Sequence, residues 1–277
     1  MKNYRYPVVL SIAGTDPTGG AGIQADLKTF SALGCYGMSV ITALVAQNTC
    51  GVRAIHSVPV DFVKAQLRAV LEDIRPEAIK IGMVHSAELV LAIAETLRQY
   101  PDIPVVFDPV MIATSGDRLI EDDTVAVIKR ELFPLAAVIT PNLDEAAFLT
   151  GEAITTVPQM YPAGAAIMQM GCKALLLKGG HLQQEELTSL LFTGKDVPQA
   201  FTSKKIMTKN MHGSGCTLSS AIASFLARGE DLATAVAHAQ NYVHGAILNA
   251  ADVVIGNGNG PLNHFYNPQK MIKYEME

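Results

Sequence analysis

The sequence predicts an α/β fold in which short buried strands alternate with amphipathic helices, the sheet being mostly parallel with an antiparallel edge. Three observations carry that expectation. Apolar runs such as Val8 to Ala13 and Ala174 to Leu177 each stop at a glycine or a polar residue, as strands buried on both faces do. Between such runs apolar residues recur at helical spacing, as in Val63, Leu67, Val70, Leu71 and Ile74. Two later runs, Leu187 to Phe192 and Phe201 to Met207, flank Gly194 and a charged turn, the pattern of an antiparallel pair.

The bulk numbers set the bounds. With 277 residues and 49% hydrophobic side chains the chain buries a large core, and no Ser-, Pro- or charge-rich break and no repeat divides it, so one domain over residues 1–277 is expected. The net charge of −5 is scattered and there is no basic stripe with interleaved aromatics, which disfavours nucleic acid and favours a small ligand. No apolar leader and no stretch of roughly 18 apolar residues is present, so a cytoplasmic protein is expected. The four cysteines, at 35, 50, 172 and 216, form no CxxC pair, which fits reduced thiols without structural zinc.

In chain order, Val8 to Ala13 is a strand leading into a loop of turn formers from Gly14 to Gly22, and Ile23, Leu27 and Phe30 then mark a helix ending near Gly34. Gly20, Gly22 and Ala25 match GxGxxA, which keeps a nicotinamide oxidoreductase open, although no acidic residue closes the next strand to hold a ribose. That next strand is Met38 to Ala46, and it delivers Gln47, Asn48 and Thr49 to its end. Gln47 there either reads a heteroaromatic ring by donating and accepting at once or bonds nearby backbone. After the helical face of residues 63–74 and the strand Ala78 to Ile81 comes Met83, a candidate to lie against a ring or to fill core.

Leu89, Ile93 and Leu97 predict a helix, and Val105 to Asp108 a strand that puts a carboxylate at a strand end, where ligands sit in open parallel sheets. A helix through Ile128 and Leu132 and a strand from Ala136 to Thr140 follow. Asn142 and Glu145 then either form a capping box on the next helix or, with Asp108, arrange water and magnesium around phosphates. Lys178 ends its strand before Gly179, Gly180 and His181, placed to meet a phosphate as a point charge or to be solvated at the surface. Leu232, Ala235, Val236, Ala239, Val243, Ala246 and Ile247 predict a last long helix, and Gly256 to Pro261 a loop.

Neither GxxxxGK[ST] nor GxSxG occurs, so a P-loop and a hydrolase elbow are excluded. The segment His212, Gly213, Ser214, Gly215, Cys216 precedes a helix marked by Leu218, Ile222, Phe225 and Leu226, with Gly229 as its stop. Two readings are open: an anion cradle at a helix N-terminus that ends in a thiol ionised more easily than a free one, or a plain turn before a core helix.

Taken together, AGTDPTGGAGIQADLKTF at 13–30, ITALVAQNTCGV at 41–52, DPVM at 108, TPNLDEA at 140, KGGH at 178, HGSGCTLSSAIA at 212 and GPLNHFYNP at 260–268 resemble one family over nearly the whole chain. It is the hydroxymethylpyrimidine and phosphomethylpyrimidine kinase family of thiamine biosynthesis, within the ribokinase superfamily. The resemblance implies a ribokinase-like three-layer α/β/α sandwich, a homodimer, and a cytoplasmic kinase using ATP and Mg2+. It also implies that Gln47 reads an aminopyrimidine, with Gly14, Asp26, Met83 and Val110 around the same pocket. Asp108, Asn142, Glu145 and Lys178 match the family's ATP and magnesium positions, Asp108 and Glu145 holding the ion through water. Gly213 and Gly215 match its anion hole, and Cys216 its base. Most of the superfamily has aspartate at that base; a cysteine is shared with the pyrimidine kinases and related bacterial pyridoxal kinases. Met211 stands where many members carry threonine, and the loop from Gln183 to Thr188 lacks the usual aspartate. Pyridoxine or pyridoxal kinase is the close alternative, and Gln47 tilts the choice toward the aminopyrimidine.

Overall fold

The computed structural model describes residues 2–111, 120, 123–180, 182, 184–194 and 197–276; His181 and Gln183 lie outside that set. Its strands are β1 (Tyr4–Arg5), β2 (Val8–Ala13), β3 (Tyr36–Ile41), β4 (Ala43–Asn48), β5 (Gly51–Ser57), β6 (Ala78–Ile81), β7 (Val105–Phe107), β8 (Val138–Ile139), β9 (Leu175–Leu177), β10 (Glu186–Phe192), β11 (Gln199–Lys204) and β12 (Tyr274–Glu275). Its helices are α1 (Gly22–Ala32), α2 (Val60–Leu71), α3 (Ala87–Leu97), α4 (Thr124–Glu131), α5 (Leu143–Thr150), α6 (Val157–Met168), α7 (Ser214–Ala227) and α8 (Leu232–Leu248).

Eight of the described strands form one sheet in the order β11-β10-β9-β8-β7-β6-β2-β3. Pairing is parallel from β3 through β9, and β10 and β11 complete it as an antiparallel edge. Successive side chains of a strand point to opposite faces, and here both faces are covered. Leu10, Ile12, Ile79, Ile81 and Phe107 pack with Val63 and Leu67 of α2 and Leu89 and Ile93 of α3, while Val9, Ala78, Val106 and Val138 pack with Phe30 of α1 and residues of α7 and α8. The result is the expected three-layer α/β/α sandwich. Among the described residues no helix is long and apolar enough to cross a membrane.

Three expectations are corrected. The run Met38 to Ala46 is two strands in two sheets. At Thr42 the N–H bonds the Ala13 carbonyl and the hydroxyl donates to the Met83 carbonyl at 2.9 Å; β4 then leaves the sheet edge to pair with β5 in a separate hairpin. The strand expected from Phe201 to Met207 is shorter, ending at Lys204. Helix α6 was not among the expected elements, and Pro158 and Pro162 fall in its span. Pro158 lies in the first turn, where a missing N–H costs little, and Thr156 and Gln159 form a capping box. A short ribbon of β1 and β12 ties the two ends of the chain together.

The tail after α8 packs back onto the sandwich. The Asn259 N–H donates to the Thr49 carbonyl at the tip of the β4–β5 hairpin (2.9 Å), and the His212 N–H donates to the Gly260 carbonyl (3.1 Å). Farther along, His264 is buried with its Nε2 3.0 Å from the Thr217 hydroxyl, which itself donates to the Gly213 carbonyl, so a neutral ring donates from Nε2. Burial, helped by the charge of Lys28, pushes the His264 pKa down to about 4. The unfolded chain takes up this proton near pH 6.5 and the folded one does not until about pH 4, so the stability at stake is complete above 6.5 and is lost as pH falls through that window. The thermal midpoint is therefore expected to fall between pH 6.5 and 4, and His264→Gln to flatten that fall; an equally steep fall in the variant would assign the acid sensitivity to other groups.

Candidate active site

The C-terminal ends of the parallel strands open on a cavity of about 640 Å³. Loops that follow the parallel strands deliver residues to it, in the order the sheet dictates. Gly14 follows β2, Met83 follows β6, Asp108 and Val110 follow β7, Asn142 and Glu145 follow β8, and Lys178 follows β9; all border the cavity. Gln47 reaches it from the hairpin, at a register shift between Ala46 and Gln47 that re-aims the side chain. Gly213, Gly215 and Cys216 enter from the start of α7.

Asp108 is buried, and its Oδ1 accepts from Lys178 Nζ at 2.8 Å and from the Thr140 hydroxyl at 2.9 Å. Burial alone would raise its pKa, but the charges of Lys178 and Lys80 outweigh it and hold the carboxyl below its ordinary value. Glu145 and Asn142 form the capping box of α5: Glu145 Oε2 accepts from the Asn142 N–H and Asn142 Oδ1 from the Glu145 N–H, both at 2.8 Å. Capping and lining the cavity are therefore compatible. Burial pushes Glu145 up to about 7; Asp108 adds to the rise and Lys178 opposes it. A parallel bridge between Asn142 and Lys178 sets this helix start beside the end of β9.

Asp26 is placed otherwise than expected. It does not border the cavity; it lies fully buried behind it, with Lys80 Nζ 2.8 and 2.9 Å from its two oxygens and hydroxyls of Ser11 (2.6 Å) and Ser220 (2.7 Å) donating to it. Its acceptor capacity is spent on these groups, so it supports the site from beneath. Lys80, also fully buried, borders the cavity in its place.

Helix α7 begins at Ser214 with Gly213 as its N-cap at φ +82°, a left-handed conformation that suits glycine. Cys216 thus sits in the first helical turn, where N–H groups have no intrahelical acceptor. A Cβ added at Gly215 would stand 3.4 Å from Lys178 Nζ and 3.5 Å from Asp108 Oδ2, within the space the cradle keeps open. The expected easy ionisation of Cys216 is not what surrounds it. Burial pushes the thiol up to about 11, with Asp26 and Asp108 adding to the rise; Lys80 and the Gly22 N–H at the sulfur oppose it.

With this geometry in view, comparison with known proteins gives a consistent answer. The phosphomethylpyrimidine kinase family pattern matches residues 16–263. The chain belongs to that family. It is 53% identical over 260 residues to the hydroxymethylpyrimidine/phosphomethylpyrimidine kinase of Rhizobium meliloti (strain 1021), covering 94% of this chain and 97% of that one. Among solved structures, it is similar to the phosphomethylpyrimidine kinase of Clostridium difficile 630 (47% identity, TM-score 0.76, 87% of this chain and 99% of that one). It is also similar to the pyridoxal kinase of Staphylococcus aureus in complex with AMP-PCP and pyridoxal (32% identity, TM-score 0.86, 98% of this chain and 100% of that one).

Family membership disposes of the dinucleotide reading of Gly20, Gly22 and Ala25, and the packing shows what those glycines do. A Cβ at Gly20 would lie 2.6 Å from the His212 ring, and one at Gly22 would press on the Gly14 carbonyl and the Asp16 backbone. Sequence reasoning missed Lys80 and Asp16. Lys80 carries a signal, a charge inside the buried run Ala78 to Ile81, whereas Asp16 looks like any turn residue. Removing one partner of a buried ion pair strands the other. Lys80→Met is expected to lower unfolding stability by about 3–5 kcal/mol in urea titration, and Lys80→Met with Asp26→Asn to recover a large part of it. Equal losses in the single and double variants would rule the pairing out as the cause.

Proposed function

We propose that this chain transfers a phosphoryl group from ATP to the hydroxymethyl oxygen of 4-amino-5-hydroxymethyl-2-methylpyrimidine and then to the phosphate of the monophosphate product. The observation that carries the reading is one cavity bordered by an amide, two glycines at a helix start and a lysine–carboxylate set, Gln47, Gly213, Gly215, Lys178, Asp108 and Glu145, in a chain of this family. Gln47, Gly14, Met83 and Val110 would hold the pyrimidine, the amide both donating to and accepting from its polar edge. Lys178 and the N–H groups of the cradle would meet the phosphates as negative charge moves outward. The alcohol oxygen bonds to phosphorus as the bond to the ADP oxygen breaks, and the alcohol proton passes to Sγ of Cys216 in its thiolate form, leaving the neutral thiol.

The donor set suits magnesium. Asp108 and Glu145 are hard oxygen donors, and Glu145, which burial first and the Asp108 charge second push up to about 7, is a carboxylate that a nearby cation would help to ionise. Among the described residues no three His, Cys, Asp or Glu side chains converge on a point, which fits an ion carried largely by phosphate and water. Magnesium would supply charge neutralisation at the phosphates. A single domain, a homodimer and a cytoplasmic setting complete the reading.

Pyridoxal is the rival ring, favoured by the likeness to pyridoxal kinases. Mass spectrometry of products from each alcohol with ATP decides between them; a strong preference for pyridoxal would overturn the pyrimidine assignment.

Because the Cys216 thiol is raised to about 11, its thiolate fraction grows as pH rises. The first-step rate is expected to climb from pH 7 to 9, and Cys216→Ala to slow it by about 100-fold, the low end for a general base, while flattening that climb. The second step, whose acceptor is already anionic, should lose much less. Equal losses in both steps would remove the base role.

A further inference from the structure

We infer that Asp16 and His212 are a positioning pair, locking the loop of residues 14–22 onto the anion cradle so that the N–H groups of Gly213 and Gly215 are aimed at the moving phosphoryl group. The inference rests on the kinase reading above and assigns work to two residues that reading leaves idle.

Asp16 is fully buried and has a partner for every direction. Its Oδ1 accepts from the Thr18 N–H (2.9 Å) and hydroxyl (2.8 Å); its Oδ2 accepts from the Gly20 N–H (3.1 Å), the Ala21 N–H (2.7 Å) and His212 Nε2 (2.7 Å). Four of those bonds stay inside the loop. The fifth crosses to the residue just before the cradle. Burial alone would push the Asp16 carboxyl up, but His212, Thr18 and the Ala21 N–H more than offset it and hold it well below the usual carboxylate range.

His212 is pinned from the other side. Its N–H donates to the Gly260 carbonyl at 3.1 Å, and it bridges in parallel to Pro261. The next residue is Gly213, the N-cap of α7, where a Cβ would collide with the Gly20 carbonyl. Loop and cradle are therefore in backbone contact along a seam that admits no side chain, and Asp16 to His212 is the charge-assisted bond across it. The same loop borders the cavity through Gly14 and points the Gly22 N–H at the Cys216 sulfur. A shift of the seam moves the substrate wall, the cradle and the base relative to one another. The pair thus acts through geometry, without touching the reacting atoms.

The test compares His212→Ala, His212→Gln and Asp16→Asn with wild type, because glutamine retains an N–H donor at similar reach. If the pair positions the cradle, His212→Ala loses about 100-fold in kcat, the scale of a small misplacement of catalytic groups. KM for the pyrimidine and for ATP should stay within about threefold, and His212→Gln should recover most of the loss. Amide resonances of Gly213 and Gly215 should shift in His212→Ala and Asp16→Asn and return toward wild type in His212→Gln. A structural staple alone would lower the thermal midpoint in step with activity, without rescue by glutamine, and that result overturns the inference. Unmoved glycine resonances in His212→Ala and Asp16→Asn overturn it as well. The resonances need no turnover, so a wild type that fails to phosphorylate the pyrimidine would sink the kinase assignment while the pair is still judged on its own.

Discussion

The buried ion pair between Lys80 and Asp26 is the interaction on which the rest of the site depends. It joins α1 to β6, and the Ser11 and Ser220 hydroxyls extend it to β2 and α7, so four elements meet at one carboxylate. A buried pair of this kind is weak evidence for stability, since an apolar replacement often does as well. What it gives is register. Apolar contacts between α7 and the sheet tolerate sliding, whereas a carboxylate held by three donor groups does not. The start of α7, and with it the cradle and Cys216, is thereby set against the strand ends.

Charge is distributed around that anchor in a consistent way. Lys80 and Lys178 both approach Asp108, which keeps it ionised in the interior, while Glu145 beside it is left near the middle of its titration at neutral pH. The first turn of α7 adds unpaired N–H groups on the same side. Lys80 is paired with Asp26 and Lys178 with Asp108, so the carboxylates here carry their own counter-charges and the start of α7 adds donors beside them. Cys216 lies at the edge of this field, and burial rather than the helix terminus controls its proton.

Much of the fold was legible because most buried strands are short, largely apolar runs and are followed by glycine or a polar side chain. Asp108, Glu145 and Lys178 stood out as candidates for the same reason, since a parallel sheet collects its strand ends on one side, whereas Gly14 became a candidate only through the family resemblance. The hairpin was not, since nothing in the run from Met38 to Ala46 marks Thr42 as the point where the chain leaves the sheet. Asp26 was misplaced because the resemblance gave it a pocket position without showing the lysine that would claim it. Asp16 and His212 are 196 residues apart, and no local pattern in either segment points to the other.

The glycine-rich tail that clasps the hairpin tip also bears on how the enzyme comes into being. The Gly258 N–H reaches the Thr49 hydroxyl across a sequence separation of 209 residues, and a Cβ at Gly258 or Gly260 would clash with Thr49 or with Asn210. Contacts of such long range form late, after the chain entropy of closing the loop has been overcome. During synthesis the sheet, its helices and the hairpin are all made before the segment that ties the hairpin to the cradle leaves the ribosome. The contacts that hold the wall carrying Gln47 are therefore ones the chain can make only after the residues of its sandwich have been synthesised.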